Sequence, residues 1–166
     1  MEVAKNPWTE DTGHLAIRKA VFKDTRYITS SWLNSYYSSP WNKGVRKSEY
    51  FHVEHKMLEV ILPRATTLVL CNGSNVDQIL GWVCYEKMAG NILLLHYVNM
   101  KQPYRKRGLA RYLVEEVLEV ESPSQVLYSY YTEQAGHIIR KHREELGSWR
   151  ANPYLNYTLA PQDWLK

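Results

Sequence analysis

Polar and apolar residues alternate from His14 to Ala20, with Leu15 and Ile17 on one side, and this predicts a first strand. Asp24 can cap a helix running to about Ser38 that places Ile28, Trp32, Leu33 and Tyr36 on one face. Ser39-Pro40-Trp41-Asn42-Lys43-Gly44 is a loop signal. A second helix opens at Ser48, carries Phe51, His55, Leu58 and Leu62, and ends near Pro63. Thr66 to Cys71 is rich in β-formers, and Asn72-Gly73-Ser74-Asn75 turns the chain into an antiparallel mate, Ile79 to Tyr85. Gly90-Asn91 marks another turn into a central strand, 92–100. Leu109, Leu113, Val117 and Val120 then recur at helical spacing up to Ser122-Pro123-Ser124. A strand over Val126–Tyr131, a short helix over Gln134–Leu146 and a last strand over Tyr154–Leu159 complete the pattern. The order β, α, α, β, β, β, α, β, α, β, without repeats or linkers, predicts one α/β (α+β) domain spanning residues 1–166.

Composition narrows the class. At 166 residues and 45% apolar the chain can bury a core without disulfides or metals, and Cys71 and Cys84 read as reduced core residues in neighbouring strands. No apolar run reaches the ~18–20 residues of a membrane span, and Met1 to Trp8 lacks an apolar signal core, so a cytoplasmic protein without membrane attachment is expected. The net charge of +4 is uneven: Lys101, Arg105, Lys106, Arg107 and Arg111 lie close together. Such a cluster suits coenzyme phosphates or nucleic-acid phosphates. Gly108 and Ala110 inside it favour the coenzyme, since a nucleic-acid groove more often interleaves basic and aromatic residues over a longer stretch.

The most informative stretch is Leu93-Leu94-Leu95-His96-Tyr97-Val98-Asn99-Met100, followed by Arg105-Lys106-Arg107-Gly108-Leu109-Ala110. It reads as a buried strand, a basic glycine-containing loop and the start of an amphipathic helix, where backbone N–H groups and the helix dipole converge on an anion such as a pyrophosphate. The R-x-x-G-x-A pattern after a strand resembles the acyl-coenzyme-A-binding motif of the GNAT acyltransferase family. Ile79-Leu80-Gly81-Trp82-Val83 is similar to the glycine-containing strand that precedes it, and the element order matches over nearly the whole chain. The resemblance implies a mixed central sheet with a splayed coenzyme-binding strand pair, here 92–100 and 126–131, and helices on both faces. Acetyl-CoA or another acyl-CoA would be the co-substrate. Backbone groups of Val98 and Met100 would pair with its pantetheine arm, and Arg105, Lys106, Arg107, Gly108, Leu109 and Ala110 would hold the pyrophosphate. More loosely, Trp32 to Gly44 and Leu95 to Val98 are similar to small GNAT-like proteins of tailed bacteriophages.

Transfer of an acyl group to an amine needs a base for the ammonium and an acid for the leaving thiolate. His96, four residues before Met100, stands where several GNAT enzymes carry a catalytic glutamate, and imidazole titrates near neutrality. The family's helix tyrosine is absent, because the corresponding position is Arg143. His142 beside it, and Tyr128, Tyr130 or Tyr131 on the neighbouring strand, are the candidates for the acid, with His142 and Tyr131 placed first. His52, Glu54, His55 and Glu59 suggest a metal site, and His52, His55 and Glu59 can share a helix face, but the spacing is not that of metal ligands, so no metal is expected. Trp41 and its loop are candidates for a lid over the acceptor. The function expected is N-acyl transfer from coenzyme A to an amine-bearing acceptor. The alternatives are a GNAT-fold binding or virion component without turnover, and a phage DNA-base-modifying relative.

Overall fold

The computed structural model describes residues 14–130, 132–142 and 149–151. Six strands form one mixed sheet in sequence order: β1 (Leu15–Lys19), β2 (Thr66–Asn72), β3 (Asn75–Met88), β4 (Ile92–Met100), β5 (Gln125–Tyr128) and β6 (Trp149–Ala151). The first four are antiparallel neighbours, whereas β5 runs parallel to β4 and β6 parallel to β5. Helices α1 (Thr25–Tyr37) and α2 (Lys47–Arg64) precede β2, α3 (Leu109–Glu121) links β4 to β5, and α4 (Glu133–His142) follows β5.

A sheet covered on both faces has strands that are apolar on both sides, and β3 and β4 are the central pair that show it. On one face Leu70, Leu80, Val83, Leu93, Leu95 and Met100 pack under α3 and α4, reaching Leu113, Val117 and Ile138. On the other, Val69, Trp82, Cys84 and Tyr97 pack under Ile28 and Trp32 of α1 and Tyr50, Leu58 and Ile61 of α2. Gly81 lies where β3 and β4 come closest: a Cβ there would run into the Met100 side chain and the Asn99 carbonyl. No helix among the described residues is long and apolar enough to cross a membrane. Cys71 and Cys84 are buried and free, as expected for core thiols.

Several expectations shift. Asp24 does not cap α1. Its carboxylate instead accepts from the Val21 N–H at 2.8 Å and from two Arg18 nitrogens at 2.6 and 3.1 Å, because a short 3-10 turn places it under β1. Helix α2 passes through Pro63 and ends at Arg64, since a proline in the last turn forfeits a single bond and the Ala65 N–H still reaches the Ile61 carbonyl at 2.9 Å. Its buried stripe is Tyr50, Met57, Leu58 and Ile61, rotated from the face expected, and His55 is exposed. On α3, Val120 is exposed, whereas Val114 and Leu118 join the core. Strand β3 extends to Asn75 and Met88, beyond the apolar segment that announces it. β5 stops at Tyr128, short of the expected 131, and β6 is a strand the pattern did not signal. The expected strand 154–159 and the end of the helix over 134–146 lie outside the described residues.

Candidate active site

The parallel pairing of β4 with β5 lasts only from Ile92/Gln125 to Leu95/Tyr128. One further bond, from the Ser129 N–H to the Leu95 carbonyl at 3.1 Å, closes it. Beyond that apex β4 continues for residues 96–100, paired among the described residues only with β3. The Lys101 N–H bonds the Leu80 carbonyl at 2.8 Å, which fixes the phase of the ladder. By alternation, the N–H and C=O groups of Val98 and Met100 face away from β3, into the opening. That opening is a slot lined by backbone donors and acceptors, suited to an extended chain carrying amides.

At the far end of β4 the chain makes a 3-10 turn at Gln102–Tyr104 and enters the basic loop. Lys106 and Gly108 both have left-handed backbones (φ 60° and 75°). Such alternation makes successive N–H groups converge into an anion-binding concavity, and α3 starts immediately after, with its first N–H groups lacking helical acceptors. A Cβ at Gly108 would meet nothing within 4 Å, so the ground above this backbone is open. Several of the basic residues make contacts within the protein: Arg105 donates through Nε to the Met100 carbonyl at 2.9 Å, Arg111 pairs with Glu115 at 2.6 Å, and the Lys101 ammonium lies 4.9 Å from the Tyr27 ring centre. The Arg105 N–H is also used, on the Gln102 carbonyl at 3.2 Å. Arg105 thus braces the junction between strand and loop through its Nε and its backbone N–H.

His96 sits on a β-bulge. Cys84 pairs with Tyr97 but Tyr85 with Leu95, so His96 is the extra residue on β4. The bulge resets the alternation and turns both His96 and Tyr97 toward α1, where their rings lie 6.5 and 5.2 Å from the Trp32 ring. The imidazole is 1% exposed and is gripped at both ends: Nε2 lies 2.5 Å from Glu86 Oε2 and Nδ1 lies 2.7 Å from Ser129 Oγ. Glu86 in turn accepts from Arg64 Nε at 2.7 Å. Burial pushes the His96 pKa down, against the opposing pull of Glu86. Burial also works against ionisation of Glu86, but hydrogen bonds from His96 and Arg64 outweigh it and hold this carboxyl below its usual range. A carboxylate only accepts, so Nε2 carries the ring proton. Nδ1 of the neutral ring is then an acceptor, and the Ser129 hydroxyl donates to it.

An aromatic wall flanks this chain of hydrogen bonds. Trp32 packs on Trp82 (5.3 Å), stacks on Tyr97 and meets the edge of Tyr130 (5.3 Å). The polar tips are satisfied: Trp82 Nε1 donates to Ser31, Tyr97 shares a bond with Ser35 at 2.9 Å, and Tyr130 donates to Glu54 at 3.0 Å. Trp32 Nε1 is the exception among the described residues, a buried donor with no acceptor. Burial raises the Glu54 pKa, partly offset by the Tyr130 hydrogen bond.

The structure therefore brings His96, Val98 and Met100 to one opening, with Lys106, Arg107, Gly108, Leu109 and Ala110 at its end. Tyr131 lies outside the described residues. His142 is the last residue of α4, and its side chain also falls outside them. Tyr128 packs against the α3 side of the sheet. Trp41 is 64% exposed in its 3-10 turn. His55 pairs with Glu59 at 3.4 Å on an exposed helix face. Sequence reasoning missed Ser129 and Glu86, and weighed Glu54 only as a metal ligand. Glu54 alone carried a local signal, being four residues from both Tyr50 and Leu58 on the buried stripe.

A strand pair that parts over a helix N-terminus, with N–H groups lining the gap, has the geometry to receive an extended ligand ending in an anion. The model of the acetyltransferase (GNAT) family matches residues 27–131, well over half of the chain, and the chain belongs to that family. Solved structures agree on the fold. The YycN protein of Bacillus subtilis superposes with a TM-score of 0.59 at 12% identity, over 84% of this chain and 94% of its own. A protein of Pyrococcus furiosus gives 0.57 at 16% identity, over 81% and 93%. One from Clostridium difficile 630 gives 0.55 at 16%, over 83% and 92%. All three are provisionally described as acetyltransferases. No curated protein matches the chain.

Proposed function

We propose that the protein transfers an acyl group, acetyl in the first instance, from coenzyme A to an amine. The observation that carries this reading is the slot between β4 and β5, which ends on the left-handed turn at Lys106 and Gly108. A pantetheine arm is an extended chain with two amides, and the outward groups of Val98 and Met100 offer it the pairing that β5 abandons. The pyrophosphate then falls at the N–H groups from Lys106 to Ala110, with the Lys106 and Arg107 side chains adding positive charge at the exposed rim. Gly108 is needed there because its backbone is left-handed and any side chain would stand where the phosphates approach.

An arm lying along β4 from its C-terminal end brings the thioester to the apex, beside the bulge. His96 is the base of the site: neutral, fixed in one tautomer by Glu86, and with Nδ1 directed to the Ser129 hydroxyl. Its imidazole is enclosed, so a proton reaches it through the group at Nδ1. The acceptor is an amine entering from the side of α1 and α2, where Tyr130 and Glu54 stand. The test is release of coenzyme A thiol from acetyl-CoA in the presence of a panel of amines: free amino acids, polyamines and peptides with free N-termini or lysines. His96→Gln should bind acetyl-CoA as the parent does and lose ~10²–10⁴ in rate. A protein that binds acetyl-CoA and releases no thiol with any amine would refute transfer while leaving coenzyme binding intact.

A further inference from the structure

In direct transfer Ser129 only relays a proton and Glu86 only fixes the tautomer, but their geometry with His96 fits a further role. A serine hydroxyl lies 2.7 Å from one imidazole nitrogen, a carboxylate 2.5 Å from the other, and an arginine 2.7 Å from the same carboxylate. A nucleophile within hydrogen-bond reach of a base, itself oriented by a third group, is the signature of covalent catalysis. The ring is reversed relative to the commoner serine triads, with the hydroxyl on Nδ1 and the carboxylate on Nε2, but the proton inventory is the same. The three residues come from three strands, so the sheet fixes their spacing: Glu86 on β3, His96 on the β4 bulge, and Ser129 immediately after β5. Ser129 also supplies the last bond between β4 and β5, through its N–H to Leu95. It therefore marks the apex of the opening, where a thioester lying along β4 would arrive. Ser129 is itself only 6% exposed, so an acyl group would have to reach its Oγ through the opening and not from bulk solvent.

We propose that Ser129 is the acyl-accepting nucleophile of this protein, and that the acyl group passes from coenzyme A to the amine through an ester on its Oγ. The proposal rests on the acyl-donor reading above. In the first half, Oγ attacks the thioester carbonyl carbon and its proton passes to His96 Nδ1. The C–S bond breaks, and the sulfur leaves as coenzyme A thiol with the proton returned by His96. In the second half, the neutral amine attacks the ester carbonyl. Its proton passes to His96 and then to Oγ as the C–O bond breaks, giving the amide and restoring the serine. No redox partner or further reactant enters. Glu86 does not touch the acyl group; it is a positioning residue that keeps Nδ1 unprotonated and aimed at Ser129.

The test uses the whole protein with acetyl-CoA and no amine, quenched rapidly and mapped by peptide mass spectrometry. The expected result is one acetyl group on the peptide holding Ser129, with a burst of thiol equal to the protein present. Ser129→Ala should bind acetyl-CoA, lose the burst and lose transfer by at least about 10²-fold. Ser129→Cys should recover an acyl-protein as a thioester. If acetyl-CoA binds and amine transfer proceeds without any acetyl on Ser129, or if Ser129→Ala transfers at the parental rate, the proposal is overturned and the hydroxyl is at most a proton relay. p-Nitrophenyl acetate, an activated ester independent of coenzyme, separates the two readings. Acetylation of Ser129 by this ester, lost in His96→Gln, in a protein that does not bind acetyl-CoA would support the nucleophile and refute the coenzyme. No acetylation from either donor would overturn the nucleophile.

Discussion

Replacing Gly108 by leucine tests the coenzyme site in a way that separates strain from binding. Gly108 has φ of 75° and open space where a Cβ would point, and Gly44, in the loop between α1 and α2, has φ of 88° and equally open space. Leucine at either position forces a left-handed backbone on a side chain that disfavours it, costing roughly 1–2 kcal/mol. For a chain of this size that lowers the melting temperature by about 2–8 °C in both variants. Saturating acetyl-CoA should act on them differently. At a hundredfold excess over its dissociation constant a ligand that binds only the folded state contributes ~2.7 kcal/mol, or about 5–11 °C here. Gly44→Leu should show that full shift. Gly108→Leu should show almost none, because its side chain occupies the ground above the convergent N–H groups. Melting curves on parent and both variants, with and without acetyl-CoA, read this directly. Equal shifts in the two variants would refute the placement of the phosphates, and no shift in the parent would refute the coenzyme.

Two further outcomes follow from buried charge. Burial raises the Glu54 pKa, so the folded protein holds that proton at pH values where the unfolded chain has released it; stability falls as pH rises from the ordinary carboxylate range through the raised value. Glu54→Gln should therefore stabilise by on the order of 1 kcal/mol at pH 8 and have little effect near pH 4, and melting at both pH values would show it. Equal effects at the two pH values would mean that Glu54 ionises normally. Asp24 is the reverse case: the Arg18 hydrogen bond lowers its pKa against the cost of burial, so its contribution is present above the ordinary aspartate range and fades as pH falls through the lowered value. Arg18→Leu should cost about 2 kcal/mol at neutral pH in urea unfolding, and less near pH 2; an unchanged neutral-pH stability would count against the pair.

The elements were legible because their signals are local: alternation, turn residues and a glycine after a basic run. The slot between β4 and β5 was legible only through resemblance, since nothing local in Val126 to Tyr131 says where pairing stops. The surroundings of His96 were not legible. Glu86 and Ser129 are 10 and 33 residues away in sequence, so no local pattern announces that they meet the ring. Alternation from Leu93 and Leu95 sends His96 to the α1 side, but a count back from Met100 through the bulge sends it to the other. Nor does anything local show that the Met100 carbonyl, left outward by the same ladder, takes the Arg105 Nε. On α2, Glu54 drew notice only as a metal ligand, because its partner Tyr130 lies 76 residues away in sequence.

The five residues of β4 past Leu95 form a sheet edge in the middle of a sheet. Edges of this kind are templates for the strands of other chains, and many proteins guard them with charge, proline or an inward twist. Here the guard is sparse: Arg105 occupies one carbonyl, and the outward N–H groups of Val98 and Met100 point where β5 has turned away. A bound pantetheine arm would serve as a removable edge protector. Preparations lacking coenzyme should then be the ones that associate and precipitate on concentration, and acetyl-CoA should protect against this to an extent that its effect on melting temperature does not measure.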